Sequence, residues 1–251
     1  GEYVFPITTL RPETLFGITN LWVNPNTTYK KIKVDNEKWI VSQECVEKLE
    51  FFGKEVTVEG DIKGVEIIGK SAKAPHIEQE IPIFEAEFVE SGIGTGLVMS
   101  VPAHAPKDYQ ALMDLKSKNH ELASKIEPIP IIVTEGYSEI PAKDVCERLG
   151  VTDQVDSKLE EATEELYLKE FINGKLNDKC GDFVNEKVEF GRNKVRDWLK
   201  EKNQLETFPT LQNSPIKCRC GAECVVKILN NQWFLNYGDE EWKGLARNCL
   251  D

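Results

Sequence analysis

From residue 3 to about 101 the chain repeats one pattern, short runs rich in β-branched and aromatic residues stopped by glycine, and this pattern leaves few architectures open. The runs fall at 30–34, 39–42, 55–58, 65–68 and 97–101, with turn signals at Gly53, Gly60-Asp61, Gly64, Gly69 and from Gly92 to Gly96. Strands this short are expected to close into a barrel-like unit or a strongly curved sheet. After residue 105 the period changes. Pro106 suits a first helical turn, Leu112 and Leu115 follow at helical spacing, and 128–133 reads as one more buried strand. Leu159, Ala162, Leu166 and Phe171 form one apolar stripe, and Val188, Val195, Trp198 and Leu199 form another. The expected fold class is α+β. A β-rich core at 1–105 and 128–134 carries amphipathic helices on its outside, at about 106–127 and 140–203, in a domain that ends near 214. Residues 215–251 hold a cysteine cluster and a strand-like run at 225–229, and read as a stub of a neighbouring module. Residues 1–5 read as a strand already under way and 242–251 as an unfinished helix, so both ends are expected to continue in a longer protein.

At 251 residues and 40% hydrophobic content the chain can bury a sizeable core. No window approaches the roughly 18 apolar residues of a membrane span, and no basic segment leads into an apolar one at the start, so a cytoplasmic protein without membrane contact is expected. The balance of 43 acidic against 31 basic residues gives a net charge of −12, whereas proteins held by phosphate contacts are usually basic. Such a chain should grip a whole nucleic acid poorly. Seven scattered cysteines do not resemble the dense, even framework of a small secreted fold. Cys218, Cys220 and Cys224 have a spacing that could begin a zinc ribbon, with Cys180 or Cys249 as a fourth ligand. The other reading is a set of reduced thiols.

Two segments carry candidate chemistry. The first, Thr8-Thr9-Leu10-Arg11-Pro12-Glu13-Thr14, gathers hydroxyls and a cation around a proline that stiffens the turn. The same residues would also serve as a helix cap and a surface ion pair. The second runs from Gly94 to Tyr109: glycines flank Thr95, an apolar strand follows, and a loop through His104 leads to Asp108 at the start of a helix. That order suits a pocket with an apolar wall and one anionic end. Asp108 could equally be complementing a helix dipole, and His104 could be an ordinary hydrogen-bonded loop residue.

The stretches TLRPETLFGITNLWVNP at 9–25 and GTGLVMSVPAHAPKDY at 94–109 resemble the editing domain shared by leucyl-, isoleucyl- and valyl-tRNA synthetases, and most closely the archaeal and eukaryotic cytosolic leucyl type. The segment CVVKILNNQWFLNYGDEEWK at 224–243 resembles the part of that enzyme that returns to its main body. Neither His-Ile-Gly-His nor Lys-Met-Ser-Lys-Ser, the signatures of the ATP site, is present, so the chain is expected to edit and not to charge.

The resemblance implies a hydrolase that removes norvaline and other wrong amino acids from tRNA(Leu), in a barrel-like editing fold. Its partners would be the 3′-terminal adenosine with its esterified amino acid and the remainder of the synthetase, in a monomer needing no cofactor for editing. Asp108 would bind the substrate α-ammonium. Thr14 would narrow the side-chain pocket against leucine, with Leu97, Met99 and Val101 as pocket wall. Thr8, Thr9, Arg11 and Thr95 would lie near the adenosine and the scissile ester, with His104 as a weaker candidate for a general base. Leu10 stands where bacterial relatives have a threonine, which leaves the roles of Thr8 and Thr9 open between them. An isoleucyl or valyl editing domain, or a tRNA-docking or zinc-binding module with an inactive pocket, remain as alternatives.

Overall fold

The computed structural model describes residues 2–75, 80–211 and 216–249. Its strands form small open sheets. β1 (Asn20–Val23), β2 (Thr28–Val34), β3 (Glu37–Ser42), β4 (Val56–Lys63), β5 (Ser71–Lys73), β6 (Glu80–Glu85) and β7 (Leu97–Ser100) divide into a four-stranded sheet, β5-β6-β1-β7, and a three-stranded sheet, β3-β2-β4. β1 runs parallel to β6 and antiparallel to β7, while β2 is antiparallel to both neighbours. Leu21 and Val23 of β1 meet Tyr29, Ile40 and Ile62 of the smaller sheet in one core, so the two open sheets pack on a shared interior.

The other face of β1 carries Trp22, which is fully buried with Phe84 under α3 (Pro106–Ser117) through Ala111, Leu112 and Leu115. β1 is thus covered on both faces, and each large side chain it buries contributes roughly 1.5–3 kcal/mol. After the short α4 (Glu121–Ser124), α5 (Pro141–Leu149) and α6 (Lys158–Asn173) stack on α3, where Val145, Leu159, Ala162 and Leu166 join Tyr109 in a further cluster. α7 (Val188–Glu201) packs Val195 and Leu199 against Leu15. β8 (Ile132–Val133) and β9 (Lys175–Leu176) form a short ladder near it.

Several elements depart from the sequence reading. Residues 43–51 form α1 (Gln43–Phe51) inside the β-rich portion; the Ser42 hydroxyl accepts from the Cys45 amide, and Cys45, Val46 and Leu49 are buried. Residues 65–68 are not a strand: α2 (Gly64–Ile67) begins where Gly64 lies so close to Asn24 that a Cβ would sit 2.0 Å from its carbonyl oxygen. The Glu66 carboxylate accepts from the Lys63 amide and caps that turn. Gly60-Asp61 is no turn either. Both residues lie within β4, where Lys31 pairs with Gly60 and Ile32 with Val58, and Glu59 is the extra residue of a bulge. Only Val4 of residues 2–5 bridges another strand, and of 128–133 only Ile132 and Val133 are ladder residues.

Residues 225–229 form no strand: among the described residues their one backbone bond to another element runs from the Ile228 amide to the Phe51 carbonyl. α8 (Glu240–Asn248) follows, and none of its residues is buried. The expected boundary at 214/215, and the last two residues of the expected terminal helix, lie outside the described residues. Among the described residues no helix is long and apolar enough to cross a membrane.

Candidate active site

A cavity of about 270 Å³ opens between the turn before β1, strand β7, the start of α3 and one face of α6. Thr8, Thr9, Arg11 and Thr14 line it on one side, and Met99, Val101, His104 and Asp108 on the other. Residues some ninety positions apart in the sequence therefore meet at one pocket. Thr95 and Leu97 do not reach its wall. Leu97 is buried in the core between the sheets, and the Thr95 carbonyl accepts from the Ser42 amide while its buried hydroxyl has no partner among the described residues. The neighbouring Gly94, at φ +57, lies against Thr8: a Cβ there would fall 1.8 Å from the Thr8 hydroxyl oxygen.

Thr14 stands on a 3-10 turn, Pro12–Gly17, whose first position holds proline. Its side chain is buried, and its hydroxyl donates to the Arg11 carbonyl at 2.8 Å, as its amide does at 3.0 Å. The hydroxyl is therefore satisfied within the turn, so this residue meets a ligand chiefly as bulk.

Asp108 lies in the first turn of α3, only 4% exposed. One carboxylate oxygen accepts from the Val101 amide at 2.7 Å and the other from the Trp22 indole at 3.0 Å. Burial pushes its pKa up to about 7, against the opposing pull of the Val101 and Trp22 hydrogen bonds and the Lys107 charge. A surface aspartate complementing a helix dipole would not be held this way. Two donors leave lone pairs on both oxygens for a further cation.

Arg11 is not a surface ion pair. Its Nη2 contacts Glu170 Oε2 at 2.6 Å, its Nε contacts Glu13 Oε1 at 3.2 Å, its Nη1 donates to the His104 carbonyl, and it lies 4.3 Å from the Tyr167 ring centre. Burial pulls its pKa down, yet Glu170, Tyr167 and Glu13 outweigh that, and the guanidinium is held more firmly charged than usual. Arg192 reaches the second oxygen of Glu13 at 3.4 Å, so two cations face two carboxylates.

His104 is fully buried in the same cluster. Its Nε2 accepts from the amides of Ile131 and Ile132 at 2.8 and 3.2 Å, which places the ring proton on Nδ1, 2.6 Å from Glu170 Oε1. Both nitrogens are engaged, and neither can take a proton from water in the cavity. The general-base candidacy of His104 does not fit this geometry.

α6 was expected on the outside of the barrel, yet it supplies Thr163 and Tyr167 to the cavity, and Phe88, Val98 and Lys107 also line it. Elsewhere, Cys218 and Cys220 are joined as a disulfide in a tight turn, Cys224 is half-buried with a free thiol, Cys180 is buried and Cys249 exposed. Among the described residues no three histidine, cysteine or acidic side chains gather as metal ligands would.

Solved structures share this architecture. The crystal structure of GlLeuRS-CP1 aligns with a TM-score of 0.73 at 28% identity, covering 84% of this chain and 85% of that one. The editing domain of the cytosolic leucyl-tRNA synthetase of P. knowlesi aligns with a TM-score of 0.73 over 80% and 82% of the two chains, at an identity of 18% that bears on fold alone. The chain therefore has the fold of a tRNA synthetase editing domain. Leucine–tRNA ligases of Methanococcus maripaludis strain C5 and Methanocaldococcus jannaschii are 44% and 42% identical over 100% and 99% of this chain. The chain spans 27% of the length of each. The family model of the leucyl-tRNA synthetase editing domain matches residues 2–129, just over half of the chain, and the chain belongs to that family.

Proposed function

We propose that this chain hydrolyses the ester of mischarged tRNA(Leu), releasing norvaline and similar amino acids while sparing leucine, as the editing part of a leucyl-tRNA synthetase. The observation that carries the reading is the pairing across one cavity of a buried carboxylate, Asp108, with a buried, internally satisfied threonine, Thr14. Asp108 binds the substrate α-ammonium, a contact every aminoacyl ester can make, so it anchors without choosing. Choice falls to the walls. Thr14 excludes a γ-branched side chain by overlap, with Met99 and Val101 opposite it, and a straight chain fits. Such a second sieve is needed because a hydrophobic pocket separates amino acids differing by one methylene by only about 1–3 kcal/mol. Thr8 and Thr9 stand at the same cavity, where the terminal adenosine and the ester would enter. A positioned water with donors for the developing oxyanion suffices for an activated ester, without a covalent nucleophile or a cofactor. In this reading the rest of the synthetase holds the tRNA body.

The test is ligand-side, because removing the Asp108 carboxylate would also orphan the Trp22 and Val101 donors, at about 1–3 kcal/mol per buried group. A stable norvalyl amide of adenosine should bind the wild-type chain. The pentanoyl amide, which lacks only the ammonium, should bind about tenfold to a hundredfold more weakly, as loss of a charged hydrogen bond of 1.5–3 kcal/mol requires. In Asp108→Asn the two ligands should bind alike. Equal binding of both by the wild type would refute the anchor.

A further inference from the structure

Glu170 is fully buried and touches two elements at once, Arg11 through Oε2 and His104 through Oε1, each at 2.6 Å. Each contact leads directly to one side of the pocket. The Arg11 carbonyl receives both the amide and the hydroxyl of Thr14. The His104 amide donates to the Val101 carbonyl, and the Val101 amide in turn donates to Asp108. One carboxylate therefore ties the turn that carries Thr14 to the loop that leads to Asp108. It comes from α6, beyond the 2–129 stretch that the family model matches. Thr163, Tyr167 and Glu170 follow at helical spacing on the face of α6 turned to the cavity, and the Thr163 hydroxyl there has no partner among the described residues.

We propose that Glu170 is a positioning residue for side-chain selectivity: by clamping Arg11 and His104 together it sets the distance between Thr14 and Asp108. This rests on the editing reading given above. A sieve that rejects one branch methyl by overlap works only if its wall keeps its place against the anchor to within about 0.5 Å, and a side chain bonded to both sides is a direct way to hold it. The fixed quantity is a separation, so loosening it should degrade discrimination more than binding itself.

The experiment titrates the whole chain with 2′-(norvalyl)amino-2′-deoxyadenosine and with its leucyl counterpart, comparing wild type, Glu170→Gln and Glu170→Asp. Glutamine keeps the volume and loses the charge. Aspartate keeps the charge and withdraws by a methylene, so it cannot span both partners. Wild type should prefer the norvalyl ligand, and each variant should lose about tenfold of that preference while still binding it. The Nδ1 proton of His104, expected far downfield in the proton spectrum, should move upfield in Glu170→Gln. Folded variants that keep the wild-type preference overturn the assignment. So does loss of near-ultraviolet circular dichroism in both variants, which would mark Glu170 as a folding residue only. Wild type binding neither ligand is a separate result, and it overturns the editing reading along with this one.

Discussion

Asp108 is divided between its charged and neutral forms near neutral pH, because burial holds its carboxyl at about 7. A cation binds only the charged form, so bound ligand should release protons below that value. Affinity for the norvalyl amide should rise about tenfold per pH unit toward 7, level off, and fall above about 8, where the free α-amino group of the ligand loses its proton. Titration calorimetry from pH 5 to 9 checks this, and a flat profile below 7 would contradict it. Stability runs the other way. A carboxyl raised in the folded state contributes most below the ordinary carboxylate range, and that contribution is lost as pH rises through about 7. Asp108→Asn should therefore lessen the decline in melting temperature between pH 4 and 7. Sequence alone singled out Asp108 and Thr14. It could not distinguish a buried Asp108 from one on a dipole, because the donors that bury it, Trp22 and Val101, sit 86 and 7 residues away and nothing in their local sequence shows that they meet it. Thr95 and Leu97 show the converse, since membership of a motif does not fix which side chains of a strand and its preceding loop face the cavity.

Gly94, just before Thr95, sets how closely its loop approaches the segment that carries Thr8. Gly94→Ala places a Cβ against the Thr8 hydroxyl and also strains a left-handed backbone. It should lower stability by about 1 kcal/mol and, by displacing Thr8, lower norvalyl-tRNA deacylation by tenfold or more. Thermal melts and single-turnover rates read the two effects separately; a wild-type rate would argue that Thr8 does not serve the site. The stripes of α3, α6 and α7 were legible because each packs an apolar face on the core. The 65–68 segment was misread because a tertiary approach at Gly64 overrode β-branched propensity, and 225–229 because a strand needs a partner that no local signal supplies. The role of α6 escaped for a different reason: Thr163, Tyr167 and Glu170 look like the wet side of an amphipathic helix. Periodicity cannot tell a polar face turned to water from one turned to a polar pocket.

The net charge of −12 bears on how tRNA is captured. This chain should deacylate tRNA far less efficiently than the complete synthetase, and its residual binding should fall only shallowly with salt, since each phosphate contact contributes a log–log slope of about 0.9. Tight binding of whole tRNA at physiological salt would contradict that. The segment from 216 onward leaves Trp233 and Phe234 98% and 89% exposed, with few ties to the core, unlike the buried clusters before it. In the proposed function one pocket anchors any aminoacyl ester at Asp108 and excludes leucine at Thr14. Parallel deacylation of norvalyl-tRNA(Leu) and leucyl-tRNA(Leu) by wild type and Thr14→Ala in the synthetase tests it most directly. Wild type should cleave only the norvalyl ester, and Thr14→Ala should keep this activity while cleaving leucyl-tRNA at least about tenfold faster than wild type, a change of about 1.4 kcal/mol. A Thr14→Ala enzyme that still spares leucyl-tRNA, or that loses both activities together, would contradict it.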